Sequence, residues 1–251
     1  MSKVFDKYAQ YYDLLYQDKD YSGEVNYIDG LIKRHSPGAK TLLDLGCGTG
    51  KHDHFLSLAG YNVSGVDLSP EMIDLAKTKY SSSGCSFYTG DVRDVDLKQQ
   101  FDIVISLFHV ISYQTNNEDV VQMLQTAKKH LKPNGLFIFD FWYGPGVLTE
   151  RPVKRTKLLE NDSLVVSRLA EPIMYANRNV VDVNYAVTVT DKTSKENHTL
   201  HEKHPMRYFF MPELLHFLQS NKLKYLHDEE WITGKDMSFN TWNGVIICSN
   251  D

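Results

Sequence analysis

The chain has 251 residues, of which 42% are hydrophobic and 24% charged, a composition typical of a globular protein with a sizeable core. Lys and Arg number 27 against 32 Asp and Glu, so the formal net charge is -5. This balance argues against a nucleic-acid partner, because nucleic-acid binding needs a broad basic surface. No apolar run approaches the roughly 18 residues of a membrane span, so we expect no membrane partner.

The three cysteines are Cys47, Cys85 and Cys248, which lie far apart and form no CxxC pair. They offer neither a disulfide framework nor a set of metal ligands, and they suit a reducing compartment. The first stretch, MSKVFDKYAQYYDLLY, lacks the apolar core of a signal peptide. We therefore expect a cytoplasmic protein without a bound metal.

Residues 1–36 are rich in tyrosine and compatible with helix formation. The stretch SPGAK follows, and its proline and glycine favour a break in the helix. We expect residues 1–36 to form a helical lid over the carboxyl edge of the sheet that comes next.

From residue 41, short apolar runs alternate with helical stretches. The apolar runs are TLLDLG, YNVSGVDL, CSFYTGDV, FDIVISLF and GLFIFDFW, each typical of a buried strand. The helical stretches between them are KHDHFLSLA, PEMIDLAKTKY and EDVVQMLQTAKKHL. This alternation predicts an α/β fold, a doubly wound and mostly parallel sheet with crossover helices.

After residue 150 the pattern changes to alternating apolar and polar side chains, which indicates antiparallel strands with one solvated face. A last helix, PELLHFLQSNKL, precedes two further strands, KYLHDEEW and NTWNGVIICS, which are predicted to complete the main sheet. No internal repeat or low-complexity linker separates these parts. We expect residues 1–251 to form one domain with an antiparallel β insertion at about 151–210.

The turn after the first strand, DLGCGTGK, contains Gly46, Gly48 and Gly50. Glycines between a strand and a helix let the backbone approach a ligand that faces the first helical N–H groups. The spacing is G-x-G-x-G, which fails the dinucleotide pattern G-x-G-x-x-G by one residue. A turn of this kind can also be purely structural.

The next two strands each end in an acidic residue. Asp67 ends the second strand, where a carboxylate can accept both hydroxyls of a ribose. Asp91 follows the third strand, where a carboxylate can accept the exocyclic amine of adenine. Together with the glycine turn, these residues predict an adenosine site without a pyrophosphate.

Four stretches in order, from Asp44 to Gly50 and then VDLSPEMI, GDVRD and LKPNGLFIFD, resemble the motifs of class I S-adenosylmethionine-dependent methyltransferases. The resemblance covers about residues 40–140. It implies a seven-stranded Rossmann-like sheet and S-adenosylmethionine as the cofactor. It also implies cofactor contacts at Gly46, Cys47, Gly48, Asp67, Leu68, Asp91, Val92 and Phe108.

The loop after the fourth strand, SLFHVISYQ, is expected to border the transferred methyl group. Methyl transfer from a sulfonium mainly requires that the two reactants be positioned in line. The loop lacks the N/D-P-P-Y/F sequence of base-methylating DNA enzymes. His109 and Tyr113 are candidates for accepting a proton from the methyl acceptor. Alternatively, His109 packs beneath the cofactor and Tyr113 caps a helix.

A closer resemblance comes from DKDYSGEV, FHVISY and DFWYGPGVL together with the antiparallel insertion. These features are similar to nucleotide-linked amino-sugar N,N-dimethyltransferases of the desosamine and mycaminose type. The similarity implies that Tyr12 and Tyr21 lie over the active site and that Trp142 and Tyr143 line the acceptor pocket. It also implies a homodimer formed through the inserted sheet.

A nucleotide sugar would need cations for its diphosphate, and Arg151 in ERPVKRTK and Arg207 in HPMRYFF are the candidates. The cluster around Arg151 is equally explained as a solvated strand edge whose charges discourage aggregation. Strand alternation puts His198 and His204 on one face and His201 on the other, which argues against a metal site.

The preferred function from these patterns is N-methylation of a nucleotide-linked amino sugar. Two alternatives remain open. The first is methylation of the nitrogen or oxygen of another small acceptor, such as an amine, glycine or a free sugar. The second is binding of S-adenosylmethionine without catalysis of transfer.

Overall fold

A computed structural model of the chain describes residues 15–80 and 82–250. The helices are α1 Tyr21–His35, α2 Lys51–Leu58, α3 Pro70–Tyr80, α4 Asn117–Lys129, α5 Gly144–Thr149 and α6 Met211–Ser220. The strands are β1 Thr41–Leu45, β2 Asn62–Asp67, β3 Ser86–Thr89, β4 Phe101–Ser106, β5 Leu131–Tyr143, β6 Arg155–Glu160, β7 Leu164–Tyr175, β8 Val180–Asp191, β9 Asn197–Phe209, β10 Leu223–Glu230 and β11 Asn243–Asn250.

Seven strands form the main sheet in the order β3-β2-β1-β4-β5-β11-β10. Strands β1 to β5 pair in parallel, whereas β11 runs antiparallel to both β5 and β10. The predicted doubly wound, mostly parallel seven-stranded sheet is confirmed. The last two strands complete it, as their sequences indicated.

Both faces of the main sheet are buried, which explains why its strands are nearly continuous apolar runs. Leu43 and Val104 face a core that contains the apolar residues of α4 and α6. Their neighbours Leu42 and Ile103 face the opposite core, which contains those of α1 and α2. Alternation along each strand therefore supplies two cores from one sheet.

Strands β6 to β9 pair antiparallel in sequence order. They join the main sheet where the end of β9 pairs in parallel with the end of β5, Trp142 with Tyr208 and Tyr143 with Phe209. The inserted sheet consequently stands at the carboxyl edge of the parallel strands. The charged stretch that begins at Arg155 is its edge strand, β6.

The apolar run GLFIFDFW predicted a fifth strand that begins at Gly135, but β5 begins at Leu131 and includes Pro133. Leu131 pairs with Phe101 and Leu136 pairs with Ile103, so the irregularity between these pairs accommodates the proline. Proline lacks an N–H group for the ladder and is tolerated at such irregularities. In the part of the chain that the structure describes, no helix is both long and apolar enough to span a bilayer.

Candidate active site

A cavity of about 460 Å³ lies at the carboxyl edge of the parallel strands, beneath the inserted sheet. Its wall on the main-sheet side comes from the glycine turn after β1 and from the ends of β2 and β4. Its wall on the inserted side includes Val183, Tyr185, His204 and Met206 of β8 and β9. This is the edge at which open α/β sheets bind ligands, and the volume suits a drug-sized molecule.

The three glycines of the turn have different roles. Gly46 has φ +99°, and a Cβ atom there would come within 2.4 Å of Val110. Gly50 has φ +74°, and a Cβ atom there would lie 2.7 Å from Phe87. Gly48 has φ +55° and open space where its Cβ atom would be. Packing therefore explains Gly46 and Gly50, whereas Gly48 leaves room beside the cavity.

Asp67 is fixed at the cavity wall by backbone N–H groups. Its carboxylate accepts hydrogen bonds from the N–H of Gly48 and the N–H of Ser69, both at 2.9 Å. Burial raises the pKa of Asp67, and these two N–H groups oppose the increase. The glycine turn and the end of β2 are thus held together by one side chain, with Leu68 beside it in the lining.

Asp91 also lines the cavity, but its carboxylate is bound by an arginine that the sequence analysis missed. Arg93 donates from Nε to Oδ1 at 2.9 Å and from Nη2 to Oδ2 at 2.5 Å. A further bond from Nη1 reaches Asp119 at 3.1 Å. These arginine hydrogen bonds lower the pKa of Asp91. Val92 lies between them in the lining, as predicted.

The start of α1 brings a tyrosine and a group of charges to the cavity. Tyr21 lines it, with the Nζ atom of Lys51 4.3 Å from its ring centroid. His52 places Nε2 2.7 Å from Oε2 of Glu24, which ties α2 to α1. Tyr12, predicted to lie over the site, falls outside the described residues.

His109 lines the cavity on a strained loop. Phe108, also in the lining, and His109 both have φ near +65°, a conformation that non-glycine residues adopt at some cost. Asp140, 1% exposed near the end of β5, accepts the His109 backbone N–H at 2.9 Å. Its other oxygen lies 2.7 Å from the His109 Nδ1 atom. Asp140 therefore holds the loop through the His109 backbone and places its carboxylate beside the imidazole.

Tyr113 ends a short 3₁₀ helix, Val110–Tyr113, and also lines the cavity. Its hydroxyl oxygen lies 2.9 Å from Nδ1 of His204, and His204 places Nε2 3.2 Å from Oε2 of Glu202. Burial raises the pKa of Tyr113, so the phenol stays protonated at neutral pH. Strand alternation predicted that His204 lies on the face opposite to His201, but it did not predict the contact with Tyr113.

Two tryptophans line one end of the cavity. Trp142, predicted for this position, packs edge-on against Trp242 with ring centroids 5.2 Å apart. Trp242 donates its indole N–H to the backbone oxygen of Glu150 at 3.0 Å. Its role was not predicted, because it lies in the loop before β11 and reaches the site through the pairing of β11 with β5.

Three predicted substrate-binding residues lie away from the lining. Tyr143 packs edge-on against Phe141, and Arg151 is exposed. Arg207 donates to Asn117 at 2.9 Å and to Glu213 at 3.2 Å, beside a separate polar pocket. Because Met206 points into the cavity, strand alternation turns Arg207 away from it. Across residues 15–80 and 82–250, no three His, Cys, Asp or Glu side chains are placed to hold a metal.

A buried carboxyl pair lies under the glycine turn. Asp44 at the end of β1 is 2% exposed, and Asp53 of α2 is 0% exposed. Burial and the proximity of Asp53 raise the pKa of Asp44, and burial raises the pKa of Asp53 to about 8. Two adjacent buried carboxylates cannot both ionise cheaply, so the pair retains a proton at neutral pH.

This pair predicts a stability that declines as the pH rises. The folded-state pKa of Asp53 lies above the ordinary value of 3.8, so the folded protein holds a proton that the unfolded chain has released. Its contribution is complete below about pH 4 and is lost towards about pH 8. We expect Asp53→Asn to make the fall in unfolding free energy between about pH 5 and 8 shallower, by up to about 1 kcal/mol per pH unit.

Urea unfolding across this range measures the effect. The exposed Asp74 of α3 provides the matched control, and Asp74→Asn should retain the wild-type slope. An Asp53→Asn protein with the wild-type slope would show that the pair holds no extra proton.

The comparisons with known proteins agree with this geometry. Residues 42–135 match the family model described as a methyltransferase domain. The chain is 29% identical, over 72% of its length and 76% of the relative's, to dTDP-3-amino-3,4,6-trideoxy-alpha-D-glucopyranose N,N-dimethyltransferase of Streptomyces venezuelae. It resembles the structure of an S-adenosylmethionine-dependent methyltransferase from Clostridium acetobutylicum, with TM-score 0.82, 21% identity and 98% of each chain covered.

A third similar protein is CalS10, an amino pentose methyltransferase from Micromonospora echinaspora whose structure has S-adenosylmethionine bound. The TM-score is 0.75 at 22% identity, covering 94% of this chain and 93% of CalS10. Together these matches confirm the predicted methyltransferase fold and the predicted resemblance to nucleotide-linked amino-sugar N,N-dimethyltransferases.

Proposed function

We propose that this chain, an S-adenosylmethionine-dependent methyltransferase, methylates the amine of a nucleotide-linked amino sugar. The observation that carries the proposal is the arrangement of the cavity. One wall contains the Gly48–Asp67 contact, and the other contains aromatic rings with two side chains, His109 and Tyr113, that can accept a proton. The relatives named as dTDP-amino-sugar N,N-dimethyltransferases support the choice of acceptor.

The main-sheet wall fits the cofactor. The backbone of Gly46, Cys47 and Gly48 would lie along the methionine part, because Gly48 has open space on the cavity side. Asp67 is held with its carboxylate at the cavity, where it would accept the ribose hydroxyls. Leu68 and Val92 would contact the adenine. Asp91 would use the lone pairs that Arg93 leaves free.

The part of the cavity near the starts of α1 and α2 fits the charged methionine end of S-adenosylmethionine. Lys51, in the first turn of α2, would bind the methionine carboxylate through its ammonium group and the adjacent helical N–H groups. The rings of Tyr21 and Phe108 offer π faces to a cationic centre. When bound, S-adenosylmethionine supplies a methyl group on a positively charged sulfur.

The acceptor amine needs a free lone pair and loses a proton during the reaction. His109, which lies beside Asp140, and Tyr113, hydrogen-bonded to His204, line the same cavity and would accept that proton. Trp142 and Trp242 would position the sugar and exclude water.

A diphosphate on the acceptor would need a cationic partner. Arg151 and Arg207, the predicted cations, lie outside the lining. Arg168 of β7 is a better candidate, because its guanidinium carbon lies 4.8 Å from the ring centroid of Tyr185, which lines the cavity. The displacement of Arg151 and Arg207 favours a second candidate function, methylation of a small amine or a free amino sugar.

Mass spectrometry of reaction products distinguishes these functions. We expect dTDP- or UDP-linked amino sugars to gain one or two methyl masses in the presence of S-adenosylmethionine, while the matching free sugars and glycine do not. Turnover of free amines without turnover of nucleotide sugars would contradict the proposed acceptor. Production of S-adenosylhomocysteine with neither group would point to a different small acceptor.

The cofactor assignment predicts the effect of a substitution at Asp67. We expect Asp67→Asn to weaken S-adenosylmethionine binding about 10- to 100-fold, because a charge-assisted pair of ribose hydrogen bonds is lost. Isothermal titration calorimetry measures the dissociation constant. Asp94→Asn, at an exposed position just after the third strand, should leave it unchanged. Equal affinity for the wild type and Asp67→Asn would contradict the assigned role.

We also propose that the protein is a cytoplasmic homodimer that associates through the inserted sheet. The outer face of β6 and β7 exposes Leu158 and Ile173, at 69% and 51%, on the side away from the cavity. Free thiols at Cys47, Cys85 and Cys248 fit the reducing cytoplasm. Light scattering should give a dimeric mass that Ile173→Asp reduces to that of a monomer. A monomeric wild type would contradict this association.

A further inference from the structure

The inserted sheet carries a hydrogen-bonded chain that starts at the cavity and runs away from it. Tyr113 and His204 both line the cavity, and 2.9 Å separates the phenol oxygen from Nδ1. Glu202 lies behind His204 at 3.2 Å from Nε2. Glu202 and His204 are two residues apart on β9 and therefore share a face. They are 7% and 5% exposed, so a solvated surface does not explain the pair.

The carboxylate of Glu202 determines which nitrogen of His204 carries the proton. A carboxylate oxygen accepts hydrogen bonds, so its contact with Nε2 selects the tautomer of His204 that carries the proton on Nε2. The lone pair of Nδ1 then faces the hydroxyl of Tyr113. This polarity lets the phenol of Tyr113, a residue of the cavity lining, donate to His204.

We propose that His204 and Glu202 are positioning residues that allow Tyr113 to accept the proton released by the acceptor amine. The inference rests on the proposed function, because it concerns transfer to an amine. A buried phenol is by itself a poor base. Nδ1 of His204 makes Tyr113 a stronger base, because it accepts the phenol proton. The phenol oxygen can then accept the proton of the amine in the same step.

The groups present account for every bond, electron pair and proton in this transfer. A bond forms between the acceptor nitrogen and the methyl carbon, and the electron pair of the broken carbon–sulfur bond stays on sulfur. The nitrogen is then cationic and passes one proton to the oxygen of Tyr113. Tyr113 passes its original proton to Nδ1, so the phenol is regenerated and His204 becomes an imidazolium. Glu202 balances that charge until His204 releases its proton to water.

Other ionisable groups surround the hydrogen-bonded chain. Tyr185 of β8 lies beside His204, with ring centroids 5.1 Å apart. Arg168 of β7 lies over the ring of Tyr185 and donates a hydrogen bond to Tyr16, while Asp67 acts on Tyr113 from the main-sheet side. On the opposite face of β9, Lys203 pairs with Asp182 at 2.6 Å.

The first test measures kcat from about pH 6 to 10 with dTDP-3-amino-3,6-dideoxyglucose and S-adenosylmethionine. We expect His204→Gln to lower kcat about 100-fold near pH 7. The loss should shrink to about threefold near pH 10, where the amine loses its proton to the solvent. Glu202→Gln should give a smaller loss with the same recovery at high pH. S-adenosylmethionine affinity and melting temperature should stay at wild-type values.

His201→Gln is the matched control, because His201 is an exposed histidine on the other face of β9. It should keep the wild-type kcat and pH profile. A His204→Gln deficit of equal size at every pH would overturn the proposal, since it would indicate a packing role. A His204→Gln protein with the wild-type kcat would overturn it as well.

The second test needs no acceptor and therefore separates the failure of this inference from failure of the proposed function. Nuclear magnetic resonance of the ¹⁵N-histidine-labelled protein reports the tautomer of His204. We expect the Nε2–H form near neutral pH, and a loss of this preference in Glu202→Gln. An Nδ1–H form in the wild type would overturn the inference whether or not nucleotide sugars are methylated.

Discussion

The end of β5 is the part of the structure on which the candidate site depends. There β5, a strand of the main sheet, pairs with β11 of the same sheet and with β9 of the inserted sheet. Trp142 is paired to both Asn243 and Tyr208. The same strand holds the loop after β4, because Asp140 accepts the His109 N–H and the Trp142 N–H donates to Ser112 Oγ. A single strand end therefore fixes the relative positions of the main-sheet wall of the cavity, the inserted-sheet wall and the loop between them.

Charge is distributed unevenly around the cavity. Asp67 and Asp91 are held by hydrogen bonds from backbone N–H groups or from Arg93, which keeps each carboxylate in one orientation. Asp44 and Asp53 lie deeper, and burial raises the pKa of both. The carboxylates of Asp67 and Asp91 can thus contact a ligand. Asp44 and Asp53 together carry less than the two negative charges of two ionised carboxylates.

The sequence was sufficient to predict the order of strands and helices, the doubly wound main sheet, and the glycine turn and strand ends that line one wall of the cavity. Those features depend on local periodicity and on parallel pairing, which brings Asp67 next to the glycine turn. The wall formed by the inserted sheet was harder to predict because its contacts join distant segments. Tyr113 and His204 are separated by 91 residues, and no local pattern in HEKHPMRYFF indicates that contact.

Two arginines show the same difficulty of predicting side-chain contacts from local sequence. The segment HPMRYFF suggested Arg207 as a cation near the site. Its neighbour Met206 lines the cavity, however, and successive residues of a strand point to opposite faces, so Arg207 points away. Arg93 was missed for a different reason. Its bidentate contact with Asp91 forms within the tight GDVRD turn, so the sequence contained both partners, but their geometry depends on the fold of that turn.

The attachment of the inserted sheet has a consequence for how such an enzyme can diversify. Two residue pairs connect β9 to β5, whereas β8 and β9 supply Tyr185, His204 and Met206 to the cavity wall formed by the inserted sheet. The residues of the main-sheet wall come from other strands, which do not rely on β6 to β8 for their pairing. Substitutions in the insertion can therefore reshape one wall of the cavity while the opposite wall keeps its structure.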